Sequence, residues 1–74
     1  MNIMDKSLFV LDDDAPLRGR LCRAMQVRGF EVSDAGTVQE GLVVVRKKSP
    51  AFAILDMKLG DGTGLTLVEE LRKR

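Results

Sequence analysis

The sequence predicts an α/β fold in which three strands alternate with three helices around a parallel sheet. Two apolar runs carry this prediction, at residues 8–11 and 51–55, and each ends directly in aspartate. Continuous apolar runs are typical of strands that are buried on both faces of a parallel sheet. Helical patterns follow both runs, and such alternation indicates parallel strands joined by right-handed helical crossovers.

The first strand is predicted at residues 8–12, and the first helix follows it as far as residue 28. Asp14 is placed to cap that helix, and Pro16 suits its first turn, where a missing N–H costs nothing. Gly29 is expected to end it, because helices commonly close on a glycine in the left-handed conformation. The apolar stripe of this helix consists of Leu17, Leu21, Ala24 and Met25.

The second strand is predicted at residues 30–35, where polar and apolar side chains alternate. Thr37 and Glu40 have the spacing of a capping box, which marks the start of a second helix. That helix is expected to end in the cations of residues 46–48, although the valines at 43–45 favour a strand.

The third strand is predicted at residues 51–56, after Pro50 has stopped the second helix. A glycine-rich loop at residues 59–64 then turns the chain tightly. The last helix is expected to run from there to the end, and residues 1–7 are predicted to be a polar lead-in. The inward face of the last helix consists of Leu67, Val68 and Leu71.

Three aspartates follow the two apolar runs: Asp12, Asp13 and Asp56. The carboxyl ends of neighbouring parallel strands meet at one edge of a sheet, where ligands bind. Ionised carboxylates held close together repel one another unless a cation lies among them. Hard oxygen ligands suit Mg²⁺ or Mn²⁺, whereas the absence of histidine and the single cysteine exclude the usual zinc ligand sets.

A carboxylate beside bound Mg²⁺ can attack phosphorus and form an acyl phosphate. Phosphoryl transfer needs mostly positioning and charge neutralisation. The cluster therefore permits Asp56 to act as the nucleophile while Asp12 and Asp13 hold the metal. A structural interpretation stays open for each aspartate taken alone, because aspartate after a strand commonly starts a turn or caps a helix.

The composition is that of an ordinary soluble domain, with 45% hydrophobic and 31% charged residues. The net charge of +1 argues neither for nor against nucleic acid as a partner. A lone Cys22 excludes an internal disulfide and fits a reducing compartment. Since no signal core and no apolar run of about 20 residues is present, we expect a cytoplasmic protein without a membrane partner.

Three stretches carry a resemblance to a known family: 11–14 together with Arg18, 29–32, and 53–65. They read Leu-Asp-Asp-Asp, Gly-Phe-Glu-Val and Ala-Ile-Leu-Asp-Met-Lys-Leu-Gly-Asp-Gly-Thr-Gly-Leu. The sequence resembles the receiver domain of two-component response regulators. Within that family it is most similar to the RegA/PrrA/ActR type of redox-responsive regulator.

The resemblance implies the N-terminal portion of a flavodoxin-like (CheY-like) doubly wound sheet with strand order 2-1-3. It implies that Asp56 is the phosphoacceptor and receives phosphate from a sensor histidine kinase. Asp13 and Asp56 would bind Mg²⁺ directly, Asp12 would do so through water, and the backbone carbonyl of Lys58 would complete the ligands. The parent protein would bind DNA, whereas this chain would make no direct contact with nucleic acid.

A receiver domain of this family has five strands and five helices. We therefore expect residues 1–74 to be a receiver domain truncated after the third βα unit, with no output domain. The Ser/Thr and Lys that contact the phosphoryl group would be missing, so phosphorylation is expected to be impaired. The third strand would become a long apolar edge, which favours a homo-oligomer formed through that edge or by exchange of elements.

Two other interpretations stay open. One is a structural, self-associating half-domain whose acidic site does not function. The other is a Mg²⁺-dependent hydrolase with an aspartyl nucleophile, which would need an aspartate two residues after Asp56, where Lys58 stands. A phosphoacceptor, by contrast, is not itself an enzyme.

Overall fold

The computed structural model describes residues 5–56 and 64–73 and has the predicted alternation of strands and helices. Both strand pairs are parallel, and the sheet order is β2-β1-β3, as predicted. Because the chain moves from β1 to β2 and then back past β1 to β3, right-handed crossovers place α1 and α2 on opposite faces. The elements are β1 (Ser7–Leu11), α1 (Ala15–Val27), β2 (Glu31–Ala35), α2 (Val38–Lys47), β3 (Phe52–Leu55) and α3 (Gly64–Arg72).

The register of the sheet aligns the ends of its three strands. Leu11 pairs with Ala35 on one side and with Leu55 on the other. The residues that directly follow β1 and β3, Asp12 and Asp56, therefore leave the sheet at the same edge. This alignment is what positions the candidate site.

The core lies between β1 and the helices α2 and α3. β1 is buried along its whole length because it has a neighbour on each side. Leu67 of α3 packs into the same cluster as the residues of α2, and these two helices contact each other. The buried members of the cluster are Phe9, Leu11, Ala35, Val38, Val45 and Leu67.

The ends of the first two helices are formed as the sequence predicts. The Asp14 carboxylate accepts the N–H of Leu17 at 3.0 Å, and Gly29 has a φ of 94° just after α1. The Thr37 hydroxyl accepts the N–H of Glu40 at 3.1 Å. The Glu40 carboxylate reaches back and accepts the N–H of Gly36, one residue earlier than in the usual capping box.

The apolar stripe predicted for α1 is only partly covered. None of the residues of α1 is fully buried, Ala24 is exposed, and Leu17 keeps 39% of its surface accessible. Leu21 and Met25 are half-buried. Within the described residues, α3 packs with α2 on one face of the sheet, and α1 covers the other face alone. Because α1 has no neighbouring helix there, its apolar stripe is only partly buried.

The prediction of a third strand buried on both faces, at residues 51–56, is wrong. β3 covers four residues, Phe52–Leu55, so it is also not the long edge that was expected. Phe52, Ala53 and Ile54 are exposed because β3 lies at the edge of the sheet and, in the described part of the chain, packs mainly against β1 and not against a helix. The Phe52 ring does find one partner, Phe30, which it meets edge to face with centroids 5.7 Å apart.

The predicted lead-in of residues 1–7 is one residue too long, because Ser7 is the first, buried residue of β1. Its hydroxyl donates to the Asp5 carboxylate at 2.8 Å and accepts the N–H of Ala51 at 2.9 Å. The backbone N–H of Ser7, which donates to the same carboxylate at 3.0 Å, is the first cause of a lowered pKa at Asp5, and the Ser7 hydroxyl is the second. Ser7 therefore fastens the start of β3 to the start of β1.

No helix in the described part of the chain is long and apolar enough to cross a membrane. The longest, α1, has 13 residues and carries three arginines.

Candidate metal centre

Two backbone hydrogen bonds fix the edge at which the aspartates lie. The N–H of Asp12 donates to the carbonyl of Ala35 at 3.2 Å, and the N–H of Asp56 donates to the carbonyl of Leu11 at 2.9 Å. The hydrogen-bond ladder of the sheet thus continues one residue past β1 and β3. Asp12 and Asp56 each directly follow a strand, and regular elements hold a site more exactly than loops do.

The structure brings together the three aspartates that the sequence predicts. Asp12, Asp13 and Asp56 each offer a carboxylate oxygen, and these oxygens lie within 4.8 Å of one another. Asp12 is buried, with 8% of its surface accessible, Asp56 is half-buried and Asp13 is exposed. The cluster therefore has a protein-facing side and an open side, and its role in binding metal stays a prediction.

The electrostatics of this cluster favour a cation. Two unit charges about 5 Å apart repel by about 1 kcal/mol in bulk water and by about 3 kcal/mol at an effective dielectric constant of about 20. Three ionised carboxylates contain three such pairs. A divalent cation among them would replace repulsion with attraction.

The donor set fits Mg²⁺ or Mn²⁺. All three donors are hard oxygen atoms, the chain has no histidine, and the single cysteine lies on α1 away from the cluster. Mg²⁺ usually takes one or two protein carboxylates and keeps several waters, which the open side at Asp13 can admit. The predicted fourth ligand, the backbone carbonyl of Lys58, lies outside the described residues.

The neighbouring hydrogen bonds separate ligand candidates from structural residues. One oxygen of the Asp12 carboxylate accepts the N–H of Asp14 at 2.9 Å, which fixes the orientation of that side chain. The Asp14 carboxylate caps α1 and is not part of the cluster. The structural interpretation of Asp14 is therefore confirmed.

Arg18 makes contacts at this edge that the sequence reasoning missed. Its Nε donates to the Asp34 carboxylate at 2.8 Å, and its Nη1 donates to the backbone carbonyl of Asp12. The sequence pattern places Arg18 on the polar face of α1 and in the family motif, and it places Asp34 within the predicted second strand, but it does not pair them. A signal was available, since Arg18 lies one helical turn after the cap residue and on the strand side of α1.

Cys22 is a free cysteine on α1 that is not part of the acidic cluster. Burial raises the pKa of its thiol, and the Asp34 carboxylate raises it further. The guanidinium groups of Arg18 and Arg23 oppose this rise but do not cancel it. The thiol is therefore neutral near pH 7, and an unreactive half-buried cysteine is the better description.

Comparison with known proteins now decides the family. Residues 8–74 match the model of the response regulator receiver domain. The chain belongs to this family. It is 47% identical over 70 residues to the photosynthetic apparatus regulatory protein RegA of Rhodobacter capsulatus. It is 46% identical over 70 residues to the acid tolerance regulatory protein ActR of Sinorhizobium medicae.

These relatives confirm the predicted similarity to the RegA and ActR type. Each alignment covers 95% of this chain but only 38% of the RegA protein and 36% of the ActR protein. The chain therefore spans less than two fifths of the length of these relatives.

A solved structure confirms the fold. It is a response regulator protein from Burkholderia pseudomallei, crystallised with a phosphorylated aspartic acid, a calcium ion and citrate. It superposes on this chain with a TM-score of 0.86 and 32% sequence identity, covering 93% of this chain and 41% of the other. The flavodoxin-like receiver architecture and the strand order β2-β1-β3 are thus established.

Proposed function

We propose that this chain is the phosphoacceptor module of a two-component response regulator of transcription. Asp56 accepts a phosphoryl group from a sensor histidine kinase, and Asp12, Asp13 and Asp56 hold Mg²⁺ or Mn²⁺ together with the backbone carbonyl of Lys58. The observation that carries this proposal is the convergence of three carboxylates within 4.8 Å at the carboxyl edge of a receiver-domain sheet.

The proposed step is a transfer between two side chains. An oxygen of the Asp56 carboxylate donates an electron pair to phosphorus, the bond from phosphorus to the donor imidazole nitrogen breaks, and the imidazole leaves with that electron pair. The product is an acyl phosphate on Asp56. These 74 residues contain no histidine, so the donor imidazole lies outside them.

The residues of this chain supply position and access. The hydrogen bond from the N–H of Asp56 to Leu11 fixes the nucleophile relative to β1, and the exposed Asp13 lies on the side from which a donor can approach. When bound, the cation would neutralise the carboxylates and the incoming phosphoryl oxygens. The phosphorylated aspartate and cation of the Burkholderia pseudomallei relative support this assignment.

We expect the 74-residue chain alone to be phosphorylated slowly. The family resemblance assigns two more phosphoryl contacts, a Ser/Thr and a Lys, to strands four and five, and these strands are not among the 74 residues. Removing one donor to the developing charge commonly costs a factor of about 10²–10³ in rate. The chain accepts a group and does not turn over substrate, so we assign it no enzyme activity of its own.

The decisive experiment is intact mass spectrometry after incubation with Mg²⁺ and acetyl phosphate. The wild-type chain should gain one phosphoryl group and Asp56→Asn should gain none. Asp5→Asn is the matched control, because Asp5 is an exposed aspartate at the opposite edge of the sheet, and it should be modified like wild type. Modification of Asp56→Asn at the wild-type level would contradict the proposal.

The remaining parts of the proposal concern the surroundings of the chain. We place it in the cytoplasm, because response regulators meet the cytoplasmic portions of their kinases. DNA binding is assigned to another part of a longer regulator, and no direct contact between this chain and nucleic acid is proposed.

A second candidate function is self-association through the edge of β3. Phe52 keeps 52% and Ile54 keeps 38% of its surface accessible on a strand whose outer edge is unpaired in the described chain. An apolar edge of this kind can add a strand from another chain. In the 74-residue chain we propose that this strand, or an exchanged element, comes from a second copy, which sedimentation over a concentration series tests.

A further inference from the structure

One side chain, Arg18, joins three segments of the chain beside the acidic cluster. It projects from α1, donates to the carbonyl of Asp12 in the turn after β1, and pairs with Asp34 on β2. The Arg18 side chain is 21% exposed and that of Asp34 is 47% exposed, so the contact with Asp12 is part-buried whereas the ion pair with Asp34 is open to solvent. We propose that Arg18 is a positioning residue for the metal centre, an inference that rests on the proposed function.

Arg18 contacts the backbone of Asp12 and not its side chain, so its effect on the site is through the backbone conformation. The carbonyl of Asp12 belongs to the planar peptide unit that links Asp12 to Asp13. Fixing the direction of this carbonyl therefore restricts ψ of Asp12 and φ of Asp13, the two backbone torsions that set the directions in which these side chains leave the chain. Arg18 thereby orients two candidate ligands without contacting the cation.

The Asp34 carboxylate offsets the positive charge that Arg18 places beside the metal centre. A guanidinium beside a cation site opposes cation binding, because like charges repel. The Asp34 carboxylate, 2.8 Å from Nε of Arg18, makes the pair neutral overall. The pair can then hold the backbone of Asp12 with little repulsion of the cation.

Gly36 provides the space that the guanidinium needs. A Cβ at position 36 would lie 2.9 Å from Nη1 of Arg18, closer than atoms in contact normally approach. Among the described residues the positive φ of a glycine occurs at Gly29 and not at Gly36. A side chain at position 36 would therefore displace the guanidinium of Arg18 from its place, whereas the backbone of Gly36 has no positive φ that requires glycine.

The test separates geometry from charge by measuring the Kd for Mn²⁺ by electron paramagnetic resonance, with Mg²⁺ as competitor. Arg18→Lys keeps the charge but cannot make both contacts, and we expect affinity to fall on the order of tenfold, the usual cost of removing a group that orients a metal ligand. Arg18→Met also removes the positive charge, so its loss should be about twofold smaller.

Two further variants test the other parts of the arrangement. Asp34→Asn should weaken Mn²⁺ binding about twofold at low ionic strength. The effect should vanish at about 1 M salt, where the Debye length is roughly 3 Å. Gly36→Ala should weaken binding at both salt concentrations, because it moves the guanidinium without changing any charge. Arg20→Met, an exposed arginine on the same helix, should match wild type.

The outcomes separate this inference from the proposed function. All affinities are measured well below the unfolding temperature of each variant. Substitution of a residue that only stabilises the fold would therefore lower Tm and leave the Kd for Mn²⁺ unchanged. If Arg18→Lys binds Mn²⁺ like wild type while Asp13→Asn does not bind, Arg18 has no positioning role and the metal centre stands. If Asp13→Asn also binds like wild type, the metal centre and the role of Arg18 are both wrong.

Discussion

Gly41 of α2 packs directly against Phe9 of β1: a Cβ at Gly41 would lie 3.0 Å from Cζ of the Phe9 ring. The same Cβ would lie 3.5 Å from Cδ1 of Leu11 and from Cδ2 of Leu67. The absence of a side chain at Gly41 therefore sets how closely α2 approaches the sheet.

This packing predicts that Gly41→Ala destabilises the protein. Alanine improves helix propensity by about 1 kcal/mol, but overpacking a core costs about 1–3 kcal/mol, so a net loss of up to about 2 kcal/mol is expected. Gly19→Ala in α1 is the control, because its Cβ would meet only the flexible end of Arg23, at 3.4 Å. That variant should gain about 0.5–1 kcal/mol. Urea unfolding measures both free energies, and equal effects of the two substitutions would contradict the packing argument.

Mg²⁺ should stabilise the folded chain. A ligand that binds only the folded state at 100 times its Kd adds about 2.7 kcal/mol to the free energy of unfolding. For a domain of this size that gain corresponds to a rise in Tm of roughly 10–20 °C. Asp13→Asn should lose the effect, whereas Asp14→Asn should keep it, since Asp14 caps α1 outside the cluster. Thermal unfolding at matched ionic strength, with and without Mg²⁺, distinguishes these cases.

Self-association through β3 should depend on the apolar character of its exposed residues. Ile54→Lys places a charge on the edge strand and is expected to return the chain to a monomer in sedimentation velocity at micromolar concentration. Val27→Lys is the control, because Val27 is 87% exposed at the end of α1 and away from β3. A wild-type chain that sediments as a monomer throughout would exclude this second candidate function.

The reactivity of Cys22 should report its surroundings. Its pKa is raised above the usual value of 9.0, chiefly by burial, so the pH midpoint of alkylation by iodoacetamide should lie above 9.0 in the folded chain. Asp34→Asn should lower that midpoint, because it removes a negative charge that disfavours the thiolate. The raised folded-state pKa contributes stability below the unfolded pKa, and this contribution is lost as pH rises through the folded pKa. Cys22→Ser should remove that part of the pH dependence.

The sequence was sufficient to predict the element order and the meeting of the three aspartates. Both follow from local patterns and one topological rule, since the carboxyl ends of parallel strands share an edge. Capping by Asp14 and Thr37 was predictable for the same reason, because each cap involves residues only three positions apart.

The contacts that depend on distant residues were not predictable. Arg18 and Asp34 are 16 positions apart, and the space beside Gly36 exists only once α1 has packed against β2. The apolar run alone favoured a third strand buried on both faces, whereas the strand order 2-1-3 predicted an exposed apolar edge. The exposure of β3 contradicts the first expectation and agrees with the second, although β3 is shorter than expected.

The position of Asp56 directly after β3 has a consequence for local unfolding. β3 is a four-residue strand at the edge of the sheet, and such strands open before the central ones do. Asp12 and Asp13 follow the central strand β1, so a cation shared with Asp56 could bind only while β3 is docked. Amide hydrogen exchange in β3 would then slow as cation concentration rises. Occupancy of the site would thus be coupled to the local unfolding of a single strand.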